Sequence, residues 1–116
     1  MRFKPKHKYG AIACERDGRK FPSKLERSVY DRLKLLQKAG EIRFFLMQVP
    51  FHLPQGKHVV DFCVFTDEHV IFLESKGRDT PLGKLKRETT ENLYDIDIHV
   101  VKNALEIDKH LDLPSA

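Results

Sequence analysis

The sequence predicts a single α/β domain with a mixed sheet of four or five strands and flanking helices. Three observations predict this class. An apolar stripe with helical spacing comes first, three apolar runs rich in β-branched and aromatic residues follow, and a second helical segment then leads into a last β-prone run. The length of 116 residues is enough for one domain with one hydrophobic core.

The first predicted element is a helix over residues 24–39. Its N-cap is Ser23, whose hydroxyl can accept a backbone N–H of the first turn, and Gly40 is a residue type that commonly ends helices. The apolar residues that recur along one face of this helix are Leu25, Val29, Leu33 and Leu36. This face is expected to pack against the sheet.

Three β-prone runs follow the first helix. The predicted strands cover residues 42–49, 58–65 and 70–75, and residues 51–53 continue the first strand after a break at Pro50. Residues 54–56 are predicted to form a turn. Residues 66–69 are predicted to join the second and third strands as a hairpin loop.

The last part of the chain returns to helical spacing. A second helix is predicted over residues 81–93, because proline is favourable in the first turn of a helix and Pro81 stands there. Its predicted inner face consists of Leu82, Leu85, Thr89 and Leu93. A strand over residues 96–101 and a short helix over 104–111, capped by Asn103, complete the domain.

Charge is unevenly distributed along the chain. Residues 1–24 contain eight Lys and Arg against two acids, whereas residues 88–116 contain two Lys against seven acids. We interpret residues 1–20 as a basic N-terminal arm and residues 21–116 as the folded domain. A basic front end favours a polyanionic partner such as nucleic acid, and an ordinary solvated surface is the alternative interpretation.

Composition argues against several classes of protein. No apolar run approaches the ~20 residues of a transmembrane helix, and the basic N-terminus has no apolar stretch behind it, so neither a membrane partner nor a signal peptide is predicted. Cys14 and Cys63 are expected to be free, and the six histidines are too scattered for a zinc site. The expected location is the cytoplasm, which is that of the host cell if the protein is viral.

The predicted hairpin brings acidic residues together. A four-residue loop puts Phe65 opposite Val70, so that Asp61 lies opposite Glu74, and Lys76 shares their face of the sheet. Two carboxylates at this spacing repel each other unless a proton, a lysine or a cation compensates them. Mg²⁺ suits such a pair, and a nearby lysine can orient water or stabilise developing charge. The alternative is a surface face on which Lys76 merely pairs with Glu74.

Two other polar residues are candidates for the same site. Glu26 stands three residues after Ser23, which is the spacing of a capping box, but its place beside the apolar stripe also allows it to point toward the sheet as a third carboxylate. Gln48 is an accessory candidate, and an ordinary polar residue on an edge strand is the alternative. Lys84, Lys86 and Arg87 are interpreted either as phosphate contacts or as a solvated helix face.

These residues resemble a known signature. Asp61, twelve intervening residues and Glu74-Ser75-Lys76 resemble the PD-(D/E)XK nuclease motif, with Val60 in place of the family's proline. The upstream segment Phe21–Glu26 resembles the helix that brings a further acidic residue to that site. The chain is similar to short phage proteins that share a Lys-Tyr-Gly start, here residues 8–10, and a helix exit like residues 35–42. Over residues 23–77 it is also similar to the phage endonuclease I group of Holliday junction resolvases.

The resemblance implies a restriction-endonuclease-like core and a Mg²⁺-dependent DNA endonuclease, with Mn²⁺ as a substitute metal. The expected substrate is branched DNA, such as a Holliday junction, in phage DNA recombination. Asp61 and Glu74 would ligate the metal, with the Ser75 carbonyl as a further ligand and Glu26 as an outer or second-metal carboxylate. Lys76 would act on the attacking water. A homodimer is expected because symmetric cutting needs two sites.

Basic residues in the arm and on both helices are expected to contact DNA. They are Lys4, Lys6, Lys8, Arg16, Arg19, Lys20, Lys24, Lys84, Lys86 and Arg87. Two other functions remain open at this point. One is a non-catalytic nucleic-acid-binding or regulatory phage protein on the same fold. The other is an inhibitor that mimics DNA through its acidic tail, against which the basic N-terminus argues.

Overall fold

The computed structural model describes residues 14–111, and Lys4, Lys6 and Lys8 lie outside them. The strands are β1 (Cys14–Arg16), β2 (Arg19–Phe21), β3 (Phe44–Leu53), β4 (Gly56–Phe65), β5 (Val70–Ser75) and β6 (Ile98–Val101). The helices are α1 (Lys24–Lys38), α2 (Pro81–Tyr94) and α3 (Ile107–His110), and a 3₁₀ turn over Ala104–Glu106 precedes α3. The predicted α/β class is thereby confirmed.

Helix α1 forms as its sequence predicts. The Ser23 hydroxyl accepts the backbone N–H of Glu26 at 3.1 Å, and Gly40 follows the helix at a φ of 80°, a left-handed conformation that glycine adopts without strain. The predicted stripe faces the core, where Val29 and Leu33 are fully buried. The buried core joins this stripe to the sheet and to the end of the chain: Phe21, Val29, Tyr30, Leu33, Leu36, Ile42, Phe62, Val64, Ile71, Leu73, Val101, Ile107 and Leu111.

The main sheet has four strands in the order β3-β4-β5-β6. The first three strands are antiparallel neighbours, and β6 runs parallel to β5 because α2 carries the chain back across the sheet. The predicted register of the second hairpin is confirmed, since Phe65 pairs with Val70 and the ladder continues to Phe62 and Leu73.

The break predicted at Pro50 is absent. Strand β3 continues through Pro50, which pairs with Val59, as far as Leu53. Because β3 lies at the edge of the four-stranded sheet, a residue without a backbone N–H can be accommodated there. The turn predicted over three residues therefore contracts to Pro54 and Gln55, between the paired residues Leu53 and Gly56.

The two long helices cover opposite faces of the sheet. Consecutive residues of a strand point to opposite faces, and Leu73 belongs to the core that contains α1. Phe72 instead contacts Phe51, whose ring packs against Tyr94 of α2 at a centroid distance of 4.9 Å. Leu73 therefore lies on the face of the sheet that α1 covers, and Phe72 lies on the face that α2 covers.

The inner face predicted for α2 is wrong. Leu82, Leu85 and Leu93 are exposed, and the helix instead buries Arg87 and Thr90. The reason lies on the sheet below, where the fully buried carboxylate of Glu74 takes the Arg87 guanidinium as a partner. Because the buried carboxylate of Glu74 requires a charged partner, α2 is rotated so that Arg87 faces the sheet. The leucines of the helix then face the solvent.

Part of the predicted arm is ordered structure. Strands β1 and β2 form an antiparallel hairpin that crosses the predicted boundary at residue 20. Phe21 inserts into the core, and the Tyr30 hydroxyl donates a hydrogen bond to Asp17 in the hairpin turn at 2.8 Å. These contacts fix the hairpin along α1, with its turn beside the middle of the helix. In residues 14–111 no helix is long and apolar enough to cross a membrane.

Candidate active site

The regular alternation of side chains between the two faces of the sheet is interrupted in strand β3 at Gln48. Before this residue, Phe45 packs against Tyr30 of α1, and after it Phe51 packs against Tyr94 of α2 on the other face. Both phenylalanines have odd numbers, so strict alternation would place them on one face. Gln48 has a φ of 54°, a left-handed conformation that is strained for a residue with a side chain.

The alternation of side chains in strand β4 is interrupted at Asp61, the residue opposite Gln48. Phe62 belongs to the core with α1, whereas His58 contacts Glu74 on the face of α2, although both residues have even numbers. The pairs Met47–Phe62 and Val49–Val60 leave Gln48 and Asp61 facing each other between them. The ladder between β4 and β5 also stops just before Asp61. This irregularity turns Asp61 toward the face of α1.

Glu26 meets Asp61 on that face. Glu26 is buried in the first turn of α1, and Gln48 Nε2 donates a hydrogen bond to its Oε2 at 3.2 Å. Its carboxyl group and that of Asp61 lie within hydrogen-bonding reach of each other. Of the two interpretations of Glu26, the structure supports the one in which its carboxyl group points toward the sheet.

The electrostatics of this pair are unusual. Burial, then the negative charge of Asp61 and a hydrogen bond with it, raise the pKa of Glu26 from 4.5 to about 7, and the nearby Lys76 ammonium opposes the rise. At neutral pH the Glu26 carboxyl group is therefore protonated for part of the time. A cation bound by Glu26 would displace that proton.

Ser75 fixes the orientation of Asp61. The backbone N–H and the hydroxyl of Ser75 both donate to Asp61 Oδ2, at 2.9 and 3.2 Å. Charge-assisted bonds of this kind hold a carboxylate in one orientation. Ser75 was expected to offer its carbonyl to a metal, and the contacts observed here are made by its two donors instead. Lys76 follows directly, at the end of β5.

Glu74 does not join this cluster. Its carboxylate contacts His58 Nε2 and, at 3.5 Å, Arg87 Nη1 of α2, so it points to the face opposite Glu26 and Asp61. The prediction that Asp61 and Glu74 project from one face is wrong, although the register behind it is right. The physical reason is the irregularity in β4. It turns the Asp61 side chain to the other face of the sheet and leaves the Glu74 side chain where regular alternation places it.

Glu74 belongs to a second, buried network. Arg87 bridges it to Asp79 through two hydrogen bonds of 3.0 and 2.6 Å, and these bonds hold the pKa of Asp79 below its usual value. The structure does not favour the predicted contact of Arg87 with DNA phosphates, because two carboxylates already occupy its guanidinium and the side chain is buried. His58 and Asp79 carried no signal in the sequence, since neither has a motif partner nearby in the chain.

Fewer side chains are placed to hold a metal ion than the sequence predicts. Within residues 14–111, no three or more His, Cys, Asp and Glu side chains are placed to hold one ion. The pair of Glu26 and Asp61 supplies two carboxyl groups, and Mg²⁺ is commonly held by one or two carboxylates with water completing its shell. The pair therefore suits Mg²⁺ or Mn²⁺ and does not suit a cage made wholly of protein ligands.

A cationic cleft adjoins the carboxyl pair. It has a volume of about 420 Å³ and is lined by Arg19, Lys20, Pro22, Glu26, Met47 and Gln48. A second cleft of about 340 Å³ shares Arg19 and Met47 with the first, so the depression continues along β3. The β1–β2 hairpin thus places two exposed cations next to two carboxyl groups, an arrangement that a phosphodiester could bridge.

The other predicted DNA contacts lie in different surroundings. Lys24 is exposed at the start of α1, near the cleft in sequence. Arg16 pairs with Asp31 at 3.3 Å, and Lys84 and Lys86 are exposed on α2, on the opposite face of the sheet from the carboxyl pair. Of the predicted cations within residues 14–111, only Arg19 and Lys20 line the cleft that contains Glu26.

Comparison with known protein families places the chain in one of them. Residues 6–109 match a family model described as "Protein of unknown function (DUF1064)", which spans most of the chain. No curated protein and no solved structure matches the sequence or the fold. The match covers every helix and strand except the last residue of α3. The chain therefore belongs to the DUF1064 family.

Proposed function

We propose that the protein is a Mg²⁺-dependent endonuclease that hydrolyses phosphodiester bonds in DNA. The observation that carries the proposal is the pairing of Glu26 with Asp61 beside Lys76, at the edge of a cleft lined by Arg19 and Lys20. Carboxylates that hold a metal, a fixed cation and a basic cleft are the parts that hydrolysis of a phosphodiester needs.

The order of elements supports the same proposal. The core runs α1-β3-β4-β5-α2-β6, with a mixed sheet between two helices, and this is compatible with a restriction-endonuclease-like fold. The candidate residues also lie where that resemblance expects them, at the start of α1, in β4 and at the end of β5. The departure is Glu74, which the resemblance expects beside Asp61.

In the proposed site, Glu26 and Asp61 would hold Mg²⁺. When bound, the metal supplies positive charge to the phosphate oxygens and lowers the pKa of a water molecule. Gln48 holds the Glu26 carboxyl group through one hydrogen bond, and Ser75 holds Asp61 through two. The two metal ligands are thus oriented in advance by their neighbours.

Lys76 and the hairpin would act on the substrate directly. The Lys76 ammonium lies close enough to the carboxyl pair to oppose the rise in the Glu26 pKa, so it can stabilise negative charge that develops there. Arg19 and Lys20 would bind phosphates on either side of the cleaved bond. Selectivity for branched DNA is part of the proposal and rests on the resemblance to junction resolvases.

Cleavage assays test this function. Supercoiled plasmid, a synthetic four-way junction, a linear duplex and a matching RNA duplex are each incubated with Mg²⁺, Mn²⁺ or EDTA. We expect cleavage of DNA with either metal, a preference for the junction, and none with EDTA. Asp61→Asn should abolish cleavage, whereas the matched control Asp97→Asn, an exposed residue next to β6, should retain it. Absence of cleavage on every substrate, or full activity of Asp61→Asn, would contradict the proposal.

One observation favours a second function. Because Glu74 is engaged by His58 and Arg87, the carboxyl site has one acidic residue fewer than a nuclease of the expected type. A protein that binds nucleic acid through the cationic cleft without cleaving it is therefore the alternative. It predicts junction binding in gel-shift assays that is equal in Mg²⁺ and EDTA, unaffected by Asp61→Asn and weakened by Arg19→Ala.

A further inference from the structure

The depression along β3 extends past the carboxyl pair into the second cleft, to which the proposed function gives no role. This cleft has a volume of about 340 Å³. It shares Arg19 and Met47 with the cleft that contains Glu26, so a chain bound beside the carboxyl pair would reach it. Its lining includes Arg19, Tyr30, Lys34, Gln37, Phe45 and Met47.

One side of the second cleft is cationic. Lys34 of α1 is exposed and makes no ion pair within residues 14–111. Arg19 of β2 lies within hydrogen-bonding reach of the hydroxyl of the buried Tyr30. Among the described residues that line this cleft, none is acidic. The cleft therefore favours an anionic group such as a phosphate.

The other side of the second cleft is apolar. Phe45 and Met47 of β3 are half-buried there. The Phe45 ring packs with Tyr30 and Phe62 at centroid distances of 5.8 and 6.2 Å, so the core holds it in place. A fixed aromatic ring beside a flexible thioether suits a flat apolar ligand face. Gln37 adds a side-chain amide, which can bond to the polar edge of such a ligand.

A nucleotide matches both sides of the second cleft. Its phosphate is an anion, and its base has flat faces that stack on aromatic side chains and a polar edge that forms hydrogen bonds. The cleft lies at the small end of ligand pockets, which range over roughly 300–1,000 Å³, so it suits one base. A base in a duplex must leave its stack and its pairing partner to enter such a cleft, whereas an unpaired base avoids most of that cost.

We propose that the second cleft binds one unpaired nucleotide of the DNA substrate, next to the carboxyl pair. The base lies against Phe45 and Met47, and Arg19 and Lys34 bind the phosphates on either side of it. This inference rests on the proposed nuclease function and narrows its substrate to DNA with an unpaired nucleotide, as in a bulge, a gap or a branch point.

Binding in EDTA tests the second cleft separately from cleavage. Fluorescence anisotropy of the full chain compares a duplex that carries one unpaired nucleotide with the fully paired duplex of the same sequence. We expect the wild type to bind the bulged duplex about tenfold more tightly, or more. Phe45→Leu keeps an apolar side chain but removes the ring, so it should lower this preference about fivefold or more. The matched control is Phe51→Leu, which changes a half-buried phenylalanine of the same strand on the face of α2 and should retain the preference.

Two further measurements locate the nucleotide. Lys34→Gln should weaken binding of the bulged duplex more than that of the paired duplex, whereas Lys84→Gln on α2 should change neither. A 2-aminopurine base at the unpaired position should change its emission when the wild type binds, and should change it less with Phe45→Leu. Circular dichroism of each variant excludes loss of fold as the cause.

The outcomes separate this inference from the proposed function. Equal affinity for the two duplexes, or a preference that survives both Phe45→Leu and Lys34→Gln, would overturn the nucleotide subsite even in a protein that cleaves plasmid with Mg²⁺. A preference for the bulged duplex that Phe45→Leu removes, in a protein that cleaves no DNA, would support the subsite and contradict the nuclease function.

Discussion

At the scale of single residues, Gln48 combines backbone strain with a contact to the candidate site. It adopts a left-handed conformation in the middle of a strand and donates a hydrogen bond to Glu26. Left-handed φ costs a residue with a side chain about 1–2 kcal/mol, and glycine avoids that cost. Strain of this kind tends to persist where it serves function.

We therefore predict that Gln48→Gly lowers activity and leaves stability almost unchanged. The free energy of unfolding should change by less than about 1 kcal/mol, because relief of strain offsets the lost hydrogen bond. Mg²⁺-dependent cleavage should fall at least tenfold, because Glu26 loses the group that orients it. Chemical denaturation and plasmid cleavage measure the two effects. Unchanged cleavage would mean that Gln48 has no part in the site.

Glu26 gives the protein a pH-dependent stability. Its pKa is 4.5 in the unfolded chain and about 7 in the folded protein, so the folded state holds the extra proton between these values. Stability from this residue is complete below pH 4.5 and is lost as the pH rises through 7. The loss amounts to about 3 kcal/mol at most.

Glu26→Gln should remove this part of the pH dependence. Between pH 5 and 8 the free energy of unfolding should fall less steeply in the variant than in the wild type, as urea denaturation at each pH would show. Mg²⁺ should restore wild-type stability at pH 8, because a cation replaces the proton of Glu26, and should leave Glu26→Gln unchanged. Identical pH profiles of the two proteins would contradict the raised pKa.

Arg87 stabilises two carboxylates of the fold. Its removal would take from the fully buried Glu74 its guanidinium partner, leaving only the contact with His58, and from Asp79 both hydrogen bonds to Arg87. Arg87→Met should lower the free energy of unfolding by about 3–5 kcal/mol, whereas Lys84→Met on the exposed side of α2 should change it by less than ~0.5 kcal/mol. Thermal denaturation distinguishes the two. A stable Arg87→Met with impaired DNA binding would instead restore the phosphate-contact interpretation.

At the scale of elements, local sequence predicts most of the fold. The cap at Ser23, the stop at Gly40 and the loop over residues 66–69 all act through neighbours in the chain, and the structure confirms them. The orientation of α2 could not be predicted, because it depends on Glu74, a buried charge on another element. A leucine stripe alone does not tell whether it faces the core of its own chain or another surface.

The candidate site was predictable only in part. Spacing located Glu26, Asp61 and Lys76, but a strict two-residue alternation placed Glu74 with them. The change of faces at Asp61 needs an irregularity in two paired strands, and no glycine marks either position. The β1–β2 hairpin itself could not be predicted either, because a short basic segment in the sequence resembles an unstructured arm.

The β1–β2 hairpin is expected to act as an element that binds phosphate. Arg19→Ala with Lys20→Ala should weaken binding of a four-way junction and reduce the slope of log K against log salt by about 2, one for each lost phosphate contact. Lys84→Ala, on the opposite face of the sheet, is the control and should change neither quantity. Fluorescence anisotropy at several salt concentrations measures both. An unchanged slope in the double variant would place the DNA elsewhere.

At the scale of the whole molecule, the two faces of the sheet carry different groups of polar side chains. The face under α1 carries the carboxyl pair and the cationic cleft, and the face under α2 carries a buried ionic network.

The proposed function requires that Glu26 and Asp61, and not Glu74, hold the metal. Calorimetric titration of Mg²⁺ into the wild type, Glu26→Gln, Asp61→Asn and Glu74→Gln at pH 8, each first checked for fold by circular dichroism, tests it most directly. We predict one site in the wild type, loss of binding in Glu26→Gln and Asp61→Asn, and retained binding in Glu74→Gln. Retained binding in Glu26→Gln together with loss in Glu74→Gln would contradict the claim.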